Sequence, residues 1–244
     1  MDIVSYLLGK NAGGGGGASA YFNTTIDNNN QTVIIKKIPT ITIADNVYNV
    51  SAMMAGVYPE EIEDVVGGAS LLSLANVFSS QTKLKKVKMT GITSQNISSL
   101  QSLFNNSAFL DTFIVENFYT EKITNTSYMF SQCSLLENLD LSWLSTSVLS
   151  SINYMFLGCS GLKNLNLCNM GTSGVSNFRS LFHGCSSLEH LDIRNFDFSN
   201  ASTSTDMLTD VPTTCEIIVK DSTVKSWLNT KFPSYTNVKT VDEL

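Results

Sequence analysis

The residues of this chain best suited to chemistry are three thiols: Cys133, Cys159 and Cys185 stand 26 residues apart. If that spacing stacks them side by side, they could form a redox pair or offer soft ligands to a metal. Zinc, however, takes about four ligands in tetrahedral array, which a line of three does not supply. The thiols therefore read as small buried hydrophobes. Cys168 follows Leu167 in a column otherwise made of Thr90, Glu116, Ser142 and Arg194, and is expected to face outward. With Cys215 the cysteines number five, so pairing within one chain cannot engage them all. His183 and His190 lack a Ser or Cys nucleophile with an orienting carboxylate at a recognisable spacing. The run Gly13–Gly17 is not a phosphate loop, because Lys10 precedes the glycines instead of following them. Asp140, Asn166 and Asp192, again 26 apart, could offer oxygens to Ca²⁺, but a hydrogen-bonded polar ladder is the simpler reading. No catalytic residue, cofactor or metal is expected.

The spacing that aligns these side chains runs through the whole chain. Phe78, Phe104, Phe130, Phe156, Phe182 and Leu208 share one 26-residue register. Val77, Leu103, Met129, Met155, Leu181 and Met207 form the column before it. Leu84, Leu110, Leu136, Leu162 and Leu188 form another, and Val87, Phe113, Leu139, Leu165, Leu191 and Ile217 a fourth. The column of Leu141 lies two residues after that of Leu139, so both side chains leave a strand on the same face. A period of this length with an L-x-x-L-x-L core is the signature of a leucine-rich-repeat solenoid. One rung cannot bury its apolar set, whereas about six stacked rungs make each column a continuous ridge.

The fold class expected is an α/β leucine-rich-repeat solenoid of about six 26-residue rungs. Each rung carries a short helix or turn, around "NTSYMFSQC", and a short strand, around Asn138–Ser142. Residues 1–17 form an apolar segment and a glycine linker. Residues 18–73 form an N-terminal β cap, with alternating β-branched residues in Tyr21–Ile43 and a degenerate rung between Tyr48 and Val66. Residues 74–219 form the solenoid and 220–244 a C-terminal cap, in which Asp221 is suited to cap a helix carrying Trp227 and Leu228.

Composition narrows the partners. The formal net charge is −6, only 15% of residues are charged and no basic run occurs, so nucleic acid is not an expected ligand. No apolar run approaches the roughly 18–20 residues that cross a bilayer. "MDIVSYLLGKNAGGGGG" has Asp2 where a signal peptide carries basic residues, so export by the usual N-terminal route is not expected.

The motif MF-x-x-C-S-x-L-x-x-L-x-L, strongest in the rungs of Cys133, Cys159 and Cys185, resembles the BspA-like leucine-rich repeats of bacterial surface proteins, also found in phages and prophages of gut bacteria. The rungs of Phe78 and Phe104 depart from it with Gln81 and Ser107 in place of the cysteine. The opening segment is similar to the start of phage and prophage proteins of Firmicutes. These resemblances imply a non-enzymatic recognition or adhesion module, tail-associated and acting in host recognition, at a virion or extracellular surface. Met1–Lys10 would attach it to the virion. A bacterial cell-surface adhesin is the alternative role, and the cytoplasm the alternative location. The expected ligand is a protein or glycan on a bacterial or host surface, met by side chains that flank the strand leucines and differ from rung to rung: Asn138, Asp140, Ser142, Asn164, Asn166, His190, Asp192 and Arg194.

Overall fold

The computed structural model describes residues 24–27, 32–38, 41–43 and 57–244, with side chains from 59 onward. Met1–Lys10 and Gly13–Gly17, expected to form an attachment element and a linker, lie outside the described residues. The described chain opens with β1 (Thr24–Asp27), β2 (Thr32–Ile38), β3 (Ile41–Ile43), β4 (Val57–Ile62) and β5 (Val65–Gly67). It continues with β6 (Lys86–Met89), β7 (Gly91–Ile92), β8 (Thr112–Val115), β9 (Asn138–Leu139), β10 (Asn164–Asn166), β11 (His190–Asp192) and β12 (Glu216–Val219). Helix α1 (Ser222–Lys231) and β13 (Val238–Thr240) follow. Two five-stranded sheets, β1-β2-β4-β6-β8 and β9-β10-β11-β12-β13, make up the strand wall, and a short sheet β3-β5-β7 adds a second strip. Every pairing except β1 with β2 is parallel, because each turn of the coil brings the chain back in the same direction.

The molecule is a β-solenoid of about six turns with the 26-residue spacing of its sequence. Leu139 lies beside Leu165, Leu165 beside Leu191, and Leu191 beside Ile217. The Phe column is fully buried, and its rings stack from Phe78 to Phe182 at 5.5 to 5.9 Å between centroids, with planes 8 to 14° apart. Each such side chain contributes roughly 1.5–3 kcal/mol by leaving water.

Of the short helix or turn expected in each rung the turn forms, and among the described residues the rungs hold no helix, so the α part of the α/β expectation is not seen there. Around Tyr128–Gln132 the chain forms successive turns with left-handed residues at both positions. The pattern repeats through two columns. One is Asn76, Ser102, Tyr128, Tyr154, Ser180 and Asp206; the other is Ser80, Asn106, Gln132, Gly158, Gly184 and Asp210. Alternate N–H groups close local turns, as Met129 to the Thr126 carbonyl and Ser131 to that of Tyr128. The remaining N–H groups reach the next rung: Thr126, Tyr128, Phe130 and Gln132 donate to Ser151, Asn153, Met155 and Leu157. A helix would direct its N–H groups along its own axis, across the stack. Stacking needs half of them to point along it, so the segment forms a second ladder, here called the turn wall, that pairs its buried backbone without helix.

The column of the cysteines lines this wall. Cys133, Cys159 and Cys185 donate to the carbonyls of Phe104, Phe130 and Phe156 at 3.3, 3.0 and 3.2 Å, and Ser107 donates to that of Phe78 at 2.8 Å. From Ser107 to Cys185 the column thus holds a small buried donor, which explains how serine stands in for cysteine, while buried Gln81 and Val211 at its two ends depart from that pattern. Burial pushes the Cys185 thiol up to about 12 and raises those of Cys133 and Cys159 well above the usual thiol range, so none is a ready nucleophile.

The strand wall is interrupted. No pairing joins β8 to β9 among the described residues. At this seam Phe113 and Phe118 meet Trp143 edge-on at 5.9 and 5.4 Å, and Val115 and Phe118 are only half-buried where their columns are otherwise buried. The far end of the core is closed by α1. Asp221 caps it by accepting from the Thr223 and Val224 amides, Leu228 is buried, and Trp227 stacks on Phe198 at 4.2 Å.

Candidate functional site

The strand wall presents the residues picked out by sequence as three rows. The first holds Asn138, Asn164 and His190 in register, all exposed. Asn138 and Asn164 make no side-chain bond among the described residues. The row continues to Glu216, which sequence reasoning missed: its carboxylate pairs with His190 Nδ1 at 3.1 Å and with Lys239. Lys239 and then His190 hold the Glu216 carboxyl below its ordinary range. The 26-residue step from His190 would have found it.

The second row is Asp140, Asn166 and Asp192. Their side-chain oxygens accept from the amides of Ser142, Cys168 and Arg194 at 2.8, 2.9 and 3.1 Å. These are Asx turns, which end each strand by mimicking a backbone turn. The bonds from the Ser142 amide and hydroxyl hold the Asp140 carboxyl below the usual carboxylate range. The oxygens that line up for a cation are thus already engaged in shaping the chain. No group of three or more His, Cys, Asp or Glu able to hold a metal occurs among the described residues.

The third row carries Ser142, half-exposed Cys168 and Arg194. Arg194 Nε lies 3.0 Å from both Asp192 oxygens, and its Nη2 lies 2.5 Å from Oδ2. This fork binds Arg194 to its own rung.

Two further features escaped sequence reasoning. Beyond the third row, Asn169 and Asn195 donate their amides to the carbonyls of Ser142 and Cys168, stitching each rung to the one before. Trp143 holds the equivalent place at the seam and donates instead to the Asp140 carbonyl. On the turn wall Tyr128 and Tyr154 stack at 4.5 Å with φ of 58° and 61°, in a column otherwise occupied by Asn, Ser and Asp. Bulky residues rarely adopt that backbone conformation. Neither histidine is bonded to a hydroxyl or thiol among the described residues; His183 lies 3.5 Å from Asp210.

The family described as "Mycoplasma protein of unknown function, DUF285" matches residues 72–167 and 98–222, together more than half of the chain. The chain belongs to this family. The family is related to the BspA-like leucine-rich repeats, and its two overlapping matches cover the stacked rungs between the N-terminal strands and the cap helix. No curated protein and no solved structure matches the chain. Among the described residues no helix is long and apolar enough to cross a membrane.

Proposed function

We propose that the chain is a non-enzymatic recognition module that offers its strand wall to a protein or glycan on a cell surface. The observation that carries this reading is the row Asn138, Asn164, His190 and half-buried Glu216, which passes from two open amides to an imidazole and a carboxylate over a core column that stays apolar. A solenoid offers such a row as an extended surface. Membership of a BspA-like-related family supports a binding or adhesion role. In our reading the module serves host recognition on a phage or prophage tail, with Met1–Lys10 as the attachment point. A bacterial surface adhesin is the second reading, favoured by a family description that names a bacterium.

The test is binding of the full chain to intact bacterial cells, compared with Asn138→Ala/Asn164→Ala/His190→Ala. We expect the triple substitution to abolish binding while leaving the melting transition in place. Undiminished binding moves the recognition surface off this row, and absence of binding to any cell type tried ends the recognition reading. Immunogold labelling of virions against labelling of cell envelopes separates the two roles.

A further inference from the structure

Beside the third row, along the outer edge of the solenoid, lie two cavities of about 350 and 420 Å³ that share Gly171 and Asn195. They form one trough, running from Glu121 and Ser145 at its head to Lys220 at the start of α1. Its floor is bare at Gly171 because the rungs approach closely there. A Cβ on Gly171 would sit 3.3 Å from the Ser147 Cα, and its amide donates to the Thr146 carbonyl at 2.9 Å.

We propose that this trough is a subsite for a neutral oligosaccharide. The proposal rests on the recognition reading above and gives it a ligand class and a place. The amide nitrogens of Asn169 and Asn195 are tied to backbone carbonyls of the preceding rung, which fixes both side chains; the Asn195 Oδ1 is left as an oriented acceptor, and the Asn169 Oδ1, which accepts from the Cys168 thiol at 3.6 Å, keeps a second lone pair for a ligand. The hydroxyls of Ser145, Ser147 and Ser173 make no bond among the described residues and can turn to donate or accept. Fixed acceptors beside free hydroxyls suit the mixed donor and acceptor pattern of sugar hydroxyls, and pre-ordering lowers the entropy lost on binding.

The rung just before the head of the trough carries two aromatic side chains. Tyr119, 44% exposed, occupies the column of Ser145 and Gly171 one rung earlier, and Trp143 occupies that of Asn169 and Asn195. The polar stitch gives way to an aromatic face at this rung, where the C–H face of a pyranose can pack. Charge argues against an anionic ligand: Glu121, Asp197 and Asp221 line the trough, and Lys220 is the one cation among its lining residues. Rungs stack at about 4.8 Å, close to the repeat of an extended pyranose chain, so each rung meets about one sugar.

The test is binding of the full chain to an array of neutral and acidic oligosaccharides, with intact cells assayed in parallel. Ser145→Trp fills the trough at an exposed position, Tyr119→Ala removes the platform, and Asn229→Trp on α1 is the control. We expect a neutral oligosaccharide to bind, Ser145→Trp and Tyr119→Ala each to weaken it about tenfold or more, and the control to leave it unchanged. Binding of acidic sugars alone, or binding indifferent to both trough substitutions, overturns the proposal. If an Asn164→Trp variant then abolishes binding, the ligand sits on the strand wall and the recognition reading stands without this subsite. If cells bind and no oligosaccharide does, the proposal falls and a protein ligand remains; if nothing binds, both readings fall together.

Discussion

The turn wall and the strand wall stack the same rungs, yet only one of them is continuous. Across the seam the turn wall runs on unchanged. The amides of Leu100, Ser102, Phe104 and Asn106 donate to Asn125, Ser127, Met129 and Ser131 at 2.8 to 2.9 Å, and Phe104 stacks on Phe130 at 5.7 Å. On the strand wall no such bond joins β8 to β9 among the described residues, and aromatic side chains fill the opening. The difference teaches where the period is enforced. Left-handed corners, inter-rung amides and the Phe spine hold the rungs in register from one side, which leaves the other side free to vary its residues and even to interrupt its pairing.

The sharpest way to break this comparison is to remove one large side chain from each wall. Phe130→Ala empties a fully buried position in the spine and should cost about 3–5 kcal/mol in denaturant unfolding. Leu139→Ala, 7% exposed beside the open seam, should cost about 2 kcal/mol, because the site can relax. Equal losses would show that the two walls share the load.

Hydrogen exchange probes the same contrast without substitution. Amides of Asn138–Leu141 should exchange about tenfold faster or more than those of Thr126–Gln132, which donate alternately within the turn and to the next rung. Equal protection would mean that the strand wall at the seam is as closed as the turn wall.

The repeat was legible in sequence because burial is imposed column by column, and a missing side chain in any rung would leave a cavity. The choice between helix and turn in the turn wall stays open in sequence, and the turn is what forms. "NTSYMFSQC" has the apolar spacing of a helical turn, but nothing in its composition announces that half its amides must point along the stack, nor that Tyr128 and Gln132 turn left-handed. Of the candidate site, sequence located the three rows, since side chains alternate along a strand. It could not tell the open row of Asn138 and Asn164 from the row of Asp140, Asn166 and Asp192, whose oxygens close turns. Asn, Asp and Ser serve both purposes equally well. The stitching by Asn169 and Asn195 depends on contacts 27 residues away and had no local signal.

The turn wall carries one flaw that a substitution can repair. The Thr126 hydroxyl is buried without a partner among the described residues, in a column where other rungs carry buried Leu74, Leu100, Ile152 and Phe178. Thr126→Val keeps the shape and removes the orphaned oxygen, so it should stabilise the chain by about 1 kcal/mol. A loss of stability would show that the hydroxyl has found a partner, such as an ordered water.

Acid should act on the opposite side. The carboxyls held below their ordinary range are Asp140 and Asp197, bonded by the amides of Ser142 and Ser199, and Glu216 and Glu243, bonded by Lys239 and Lys225. All lie on the strand wall, its edge or the cap. A carboxyl whose pKa falls on folding stabilises fully above its unfolded pKa of about 4, and that contribution disappears as the pH drops through the lower folded value. Stability should therefore hold on the neutral side and decline as the pH falls below about 4. Strand-wall amides should lose protection before turn-wall amides, and Glu216→Gln should flatten the decline. Simultaneous loss on both walls would make the solenoid a single cooperative unit.

The smallest effect tests whether the left-handed corners are a matter of backbone shape alone. Ser80 adopts φ of 60° at an exposed corner where Gly158 and Gly184 serve two other rungs. A left-handed residue other than glycine costs roughly 1–2 kcal/mol. Glycine gives back roughly 0.5–1 kcal/mol of that through its freer unfolded chain. Ser80→Gly should accordingly stabilise by about 0.5 kcal/mol, the difference of the two. The reverse change at Gly184 cannot be mild, since its φ is 78° and a Cβ would sit 3.2 Å from the Gly158 Cα. Stacked corners leave no room for a side chain to yield there, and Gly184→Ala should lose about 1–2 kcal/mol. If Ser80→Gly destabilises while Gly184→Ala is tolerated, the corners are held by side-chain contacts, and the order of the two walls has a different origin.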